Sequence, residues 1–223
     1  ASFDSVITSA SITRPAHILD ISCGIGTQSL GLAQLGHRVL ASDLSSAAIG
    51  RATKEAVKRE LDISFSVADM RDCFETHGGN FDVVLTCDNS VPHLPTPTDI
   101  RDTFEGMCSC LRKGGLALVG IRNYLPDEVR GVGQIWPYGT RTEGSDRWVV
   151  FQTRDWQGSS YDVGMYFVRE MTPASPALVI SGLSRYHAIT VDDTMALMAQ
   201  SGFVDVVRDD TLLHQPLIIA RKP

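Results

Sequence analysis

The sequence has no apolar run long enough to cross a bilayer, which takes about 20 residues of helix. It also has no excess of positive charge: 20 Lys and Arg stand against 26 Asp and Glu, a formal charge of −6. The first lack argues against a membrane partner. The second argues against a nucleic-acid partner held by its phosphates, because no basic stripe exists to displace counterions. Lys54, Lys58 and Arg59 do cluster, but at helical spacing beside Glu55 and Glu60, the pattern of a solvated helix face. Cysteine is sparse and odd in number: Cys23, Cys73, Cys87, Cys108 and Cys110 include no Cys-x-x-Cys pair and have no histidine cluster beside them. Neither a disulfide frame nor a metal site is expected, and a reducing, cytoplasmic location is. Internal repeats, low-complexity tracts and a signal-peptide pattern are also absent. The chain opens at Ala1 without a methionine, as a trimmed fragment would.

What remains is a chain of 223 residues, 43% apolar, enough for one domain with a sizeable core. Ser2 to Ala10 is weakly amphipathic, and Pro15 marks its end. His17–Ser22, Arg38–Ser42, Ile63–Val67, Phe81–Cys87 and Leu116–Ile121 read as short apolar strands. Helices are expected over Ile25–Leu35, from Ser45 or Ser46 to near Glu60, and over Asp99–Leu111, with turn glycines at Gly114 and Gly115. This alternation predicts a parallel sheet with helices on both faces. After Ile121 the rhythm changes. Asn123–Ser145 is rich in Gly and Pro, and Trp148–Thr153, Asp162–Met171 and Leu178–His187 read as β-runs with turns at Gln157–Gly158 and Pro173–Pro176. These form an antiparallel insertion, residues 123–187, within a single domain spanning 1–223. Val191–Ser201 restores a helix, and Phe203–Asp209 and Leu213–Arg221 close the fold as strands.

The stretch "DISCGIGT" places Gly24 and Gly26 where a strand becomes a helix, so that backbone N–H groups can approach a ligand. Asp43 ends the second strand, 19 residues after Gly24. There a carboxylate can accept hydrogen bonds from both ribose hydroxyls of an adenosine. Two cofactors share this arrangement. A dinucleotide needs a third glycine for its pyrophosphate, where this chain has Ser29, and Asp20 inside the turn would repel that pyrophosphate. S-adenosylmethionine carries no phosphate and suits acidic surroundings. "VADMRD" adds Asp69 for an adenine amino group and Met70 as a polarizable ring contact. "FDVVLTCDNSVPHL" sets Asp88, Asn89, Ser90 and His93 after a buried strand, at the edge where open α/β sheets bind ligands.

On these residues the sequence resembles the class I S-adenosylmethionine-dependent methyltransferases, over Ala16–Ile121 and the C-terminal strands. Within them it looks most like the glycine N-methyltransferase and glycine/sarcosine methyltransferase group. "NSVPHLPT", Arg122-Asn123-Tyr124 after the fifth strand, and the β-rich insertion carry that closer likeness. The resemblance implies a doubly wound, mostly parallel, seven-stranded Rossmann-like sheet with the antiparallel insertion on the substrate side. It also implies cofactor contacts at Gly24, Gly26, Asp43, Leu44, Asp69, Met70, Asp88, Asn89 and Ser90, with His93; Asp20 and Cys23 of the turn complete the expected cofactor set. Arg122 would pair with the carboxylate of an amino-acid-like, small-molecule substrate, a grip that a guanidinium makes bidentately. Tyr186 is the candidate to orient the amine, and His93 and His187 are the candidate bases. An O-methyltransferase of a natural product and a non-catalytic binding module are the alternatives, and an oligomer is compatible with either. Upstream of the first strand only Phe3 could act as an aromatic lid.

Overall fold

The computed structural model describes residues 2–124, 131–172 and 176–223. The chain runs α1 (Ser2–Ser9), β1 (His17–Asp20), α2 (Thr27–Gln34), β2 (Arg38–Asp43), α3 (Ser46–Lys58), β3 (Ile63–Val67), α4 (Cys73–His77), β4 (Phe81–Thr86), α5 (Pro97–Cys110) and β5 (Leu111–Gly120). It continues with β6 (Gln134–Glu143), β7 (Asp146–Gln157), β8 (Ser160–Arg169), β9 (Leu178–His187), α6 (Val191–Gln200), β10 (Val204–Asp209) and β11 (Leu217–Arg221). These elements form two compact units: residues 1–91, 96–123 and 190–223 make the first, and residues 92–95 with 124–189 the second.

The first unit is a seven-stranded sheet in the order β10-β11-β5-β4-β1-β2-β3. β1 through β5 pair in parallel, while β11 joins β5, and β10 joins β11, antiparallel. Its central strands are apolar on both faces. Ile18, Leu19, Val83, Val84, Leu85, Leu116 and Leu118 are wholly buried, each burial worth about 1.5–3 kcal/mol. Short polar side chains start the helices. Ser45 accepts from Ala48 N at 3.2 Å, Thr96 from Asp99 N at 3.1 Å and Thr190 from Asp193 N at 3.1 Å. Pro97 occupies the first turn of α5, where no N–H is needed.

The second unit is a four-stranded antiparallel meander, β6-β7-β8-β9. Its first strand departs from the sequence reading, which found a stretch rich in Gly and Pro there and no strand. β6 holds Pro137 and Gly139 because it lies on the sheet's edge, and the register shifts between those two residues. α4, of five residues, is too short to show a period. β5 starts at Leu111 rather than Leu116 and carries Gly114 and Gly115 within it, with the register against β4 shifting between Phe81 and Val83. The turn expected at Pro173–Pro176 lies mostly outside the described residues. Among the described residues no helix is long and apolar enough to cross a membrane.

Candidate active site

The strand order reverses beside β1, which pairs with β2 on one side and β4 on the other. In an open parallel sheet, a crevice forms outside the carboxyl ends of the strands at that point. The turn after β1 fills it. Gly24 and Gly26 have φ of +54° and +88°, a region that side chains disfavour. A Cβ on Gly26 would meet that of Ala52 at 3.2 Å, whereas one on Gly24 would meet nothing within 4 Å. Gly26 therefore lets α2 pack against α3, and Gly24 leaves its backbone open to a ligand.

Asp43 Oδ2 accepts from the Gly24 N–H at 2.8 Å and Oδ1 from the Ser45 N–H at 2.9 Å. This fixes the carboxylate at the end of β2 and leaves each oxygen a further lone pair. Leu44, which follows it, is 71% exposed. Asp20 is wholly buried and accepts from Ser29 Oγ at 2.6 Å and from the Ser22 N–H at 3.3 Å. Burial pushes its carboxyl up to about 7. The serine that replaces a third glycine is thus the donor that holds this carboxyl in place. Sequence reasoning had registered Ser29 only as a missing glycine, although its position on the inner face of α2 was a usable signal. Cys23 is buried, donates its N–H to Ser42 O at 2.9 Å, and burial pushes its thiol upward. It shapes the turn and is no nucleophile.

Beyond β3, the Ala68 N–H donates to Asp43 O at 3.2 Å, which brings Asp69 beside the same crevice. The Arg71 guanidinium contacts Asp69 at 2.7 Å and holds its carboxyl below the usual range. Arg71 also reaches Asp99 at 3.2 Å, a link across 28 residues that no local pattern signals. Met70 opens a short 3₁₀ turn and is half-buried.

After β4, Asp88 and Asn89 take φ of +56° and +64° in succession, strain of the kind that functional sites retain. Asp88 accepts from Gln28 Nε2 at 2.8 Å, and Ser90 Oγ donates to Cys87 O at 2.7 Å. Asn89 clamps two strands: its N–H donates to Gly120 O at 3.1 Å, and its Oδ1 accepts the Arg122 N–H at 2.9 Å. Arg122 thereby stands fixed and half-buried just past β5.

Within the second unit, Trp156, Tyr161 and Tyr186 lie opposite one another across β7, β8 and β9. Their rings stack at centroid distances of 4.4 and 5.3 Å, and His93 continues the row at 4.1 Å from Tyr186. The Tyr124 and Tyr161 hydroxyls hydrogen-bond at 2.9 Å. Burial pushes the Tyr186 hydroxyl upward. His93, Pro95, Ser160, Arg185, Tyr186 and His187 line a cavity of about 270 Å³. The structure thus brings His93 and Tyr186 together. It adds Trp156 and Tyr161, which are distant in sequence and unremarkable singly.

Around the first unit's crevice the donor set suits a cationic adenosine. Asp43, Asp69 and Asp88 lie at the strand ends around it, and such carboxylates would repel a pyrophosphate. Residues 18–115 match the family model described as a methyltransferase domain. A putative methyltransferase, YqeM, of Bacillus subtilis is 29% identical over 69% of this chain and 66% of its own length. A ubiquinone biosynthesis O-methyltransferase of Xanthomonas axonopodis pv. citri is 31% identical over 50% of this chain and 45% of its own. Rabbit (Oryctolagus cuniculus) glycine N-methyltransferase is 30% identical over 48% and 41%. The likeness to glycine N-methyltransferase is therefore one among several of equal strength. The chain spans between two fifths and just under two thirds of the length of these relatives.

Among solved structures, an S-adenosylmethionine-dependent methyltransferase from Clostridium acetobutylicum superposes with a TM-score of 0.84 at 13% identity, over 99% of this chain and 89% of that one. CalS10, an amino pentose methyltransferase from Micromonospora echinaspora solved with S-adenosylmethionine bound, gives 0.77 at 19% identity, over 100% and 92%. Residues 18–115 thus match a methyltransferase domain, and the fold is that of S-adenosylmethionine-dependent methyltransferases of known structure.

Proposed function

We propose that this protein transfers the methyl group of S-adenosylmethionine to the amine of a small molecule that bears a carboxylate, glycine or a related amino acid. The observation that carries this reading is Arg122. Asn89 fixes its backbone at the carboxyl end of β5, in the unit that holds the carboxylate-lined crevice. A guanidinium there can take a carboxylate by two parallel hydrogen bonds and leave the amine free to react. S-adenosylmethionine supplies a methyl group already activated on a positively charged sulfur.

The chain's own work is to bind, orient and exclude water, and such alignment contributes on the order of 7–11 kcal/mol to lowering a barrier. Asp43 would accept from ribose hydroxyls, Asp69 and Met70 would hold the adenine, Asp88 would favour positive charge nearby, and the buried Asp20 would hold the turn in shape through Ser29. An amine that arrives unprotonated needs no strong base, since its proton can leave to water. Tyr186 would orient the amine, and His93 would serve as the base if the acceptor were an oxygen. The reaction is assigned to the cytoplasm.

Calorimetry with S-adenosylhomocysteine tests the cofactor half of this reading. Asp43→Ala removes an acceptor of charge-assisted hydrogen bonds worth about 1.5–3 kcal/mol each, so affinity should fall roughly 100-fold. Failure of the unmodified protein to bind overturns the reading. Kinetics with amino acids test the acceptor half: Arg122→Ala should raise KM at least about tenfold, with kcat changed less. An unchanged KM would turn the assignment toward oxygen or sugar acceptors. Transfer of labelled methyl to any amine in a panel would reject the alternative of a binding module without catalysis.

A further inference from the structure

We propose that β9 is the edge through which two copies of this chain pair, antiparallel and about a two-fold axis, so that their meanders join into one sheet. An open strand edge presents a row of unpaired N–H and C=O groups, and proteins protect such edges with proline, charge, bulges or shortness. Among the described residues the two sheets have four edges: β3, β10, β6 and β9. β3 is only five residues long. β10 has a register shift between Val204 and Val207 and carries Asp205, Arg208 and Asp209. β6 has Pro137, a register shift beside it, and the charges of Arg141 and Glu143. β9 has none of these protections over most of its length. It pairs with β8 at ten consecutive positions with no shift, contains no proline, and is uncharged from Leu178 to Ser184. Leu178, Val179, Ile180 and Leu183 on it are 40–79% exposed.

Two edges carry charge and register shifts, β3 is half the length of β9, and β9 alone is both long and open; this points to an occupant for β9, and the strand's own chemistry favours a second copy. In a two-fold antiparallel pair, residues directly opposite must share a sheet face, so their numbers have the same parity. With Ser181 opposite the partner's Ser181, Val179 faces the partner's Leu183 twice, and Ile180 faces the partner's Gly182, which leaves it room. The single charge, Arg185, falls opposite the partner's Ala177. The two arginines then stand about 27 Å apart along the strands, well beyond the ~8 Å screening length at physiological salt. Pairing thus covers apolar edge positions without setting like charges together.

Light scattering with size exclusion at high micromolar concentration should give twice the chain mass. Hydrogen exchange should show outward-facing β9 amides that are slow in the dimer and fast after dilution to monomer. Leu183→Lys and, separately, Val179→Lys should each halve the mass with the circular dichroism spectrum unchanged, because both side chains are exposed. Combining Val179→Lys with Leu183→Glu should restore the dimer, since each lysine then faces a partner's glutamate. A monomeric unmodified chain overturns the proposal. So does a dimer that both lysine variants leave intact, or one whose β9 amides exchange fast.

Discussion

The two sheets use the same backbone hydrogen bonds but hold themselves together differently. In the seven-stranded sheet β1, β4 and β5 are buried almost along their whole lengths. In the meander β6 and β9 are exposed at nearly every position, and order is concentrated at one end, where Trp156, Tyr161 and Tyr186 stack. A sheet apolar on both faces fixes its strand ends closely. Residues placed at those ends, such as Asp43 and Asn89, inherit that precision. A half-solvated meander constrains its residues less and leaves room for its sequence to vary.

Core truncation should separate the two regions most. Leu118→Ala in β5 should destabilise the protein by about 2–5 kcal/mol, whereas Val132→Ala, at a position 82% exposed in the second unit, should stay within about 0.5 kcal/mol. Urea unfolding at a protein concentration that holds the chain monomeric reads both. Equal effects would erase the contrast.

Asp20 gives the next effect, and its sign is fixed by its raised carboxyl. The unfolded chain releases this proton near pH 3.8, while the buried group keeps it to about 7. Between those values the folded state binds more protons, so stability falls as pH rises from about 4 to about 7. The full difference is on the order of 4 kcal/mol, an upper bound. Asp20→Asn should flatten that slope and make the variant the more stable protein above pH 7, while weakening S-adenosylhomocysteine binding. Thermal melts across the range decide it, and an unchanged slope would place the titration elsewhere.

The smallest effect belongs to the meander. Tyr161→Phe removes the hydroxyl that meets Tyr124 at 2.9 Å but keeps the stacked ring, and should cost about 1 kcal/mol. A loss matching that of Leu118→Ala would mean that the meander is as tightly determined as the larger sheet.

Much of the larger sheet was legible because its signals are local. Buried strands are short apolar runs, Ser45 caps the helix it precedes, and Gly24, Gly26 and Asp43 sit at spacings that a strand–turn–helix–strand unit imposes. β6 was not legible, because its proline and glycine carry turn chemistry and only pairing with β7 makes it a strand.

The sequence by itself determined the alternation of strands and helices, the open glycine turn and the acidic character of the strand ends, since each depends on neighbours within a few residues. Only the tertiary structure decided that Ser29 holds Asp20, that Asn89 fixes Arg122 across 33 residues, and that Trp156, Tyr161, Tyr186 and His93 form one row. Those meetings depend on strand register and helix packing, which no single stretch of chain contains.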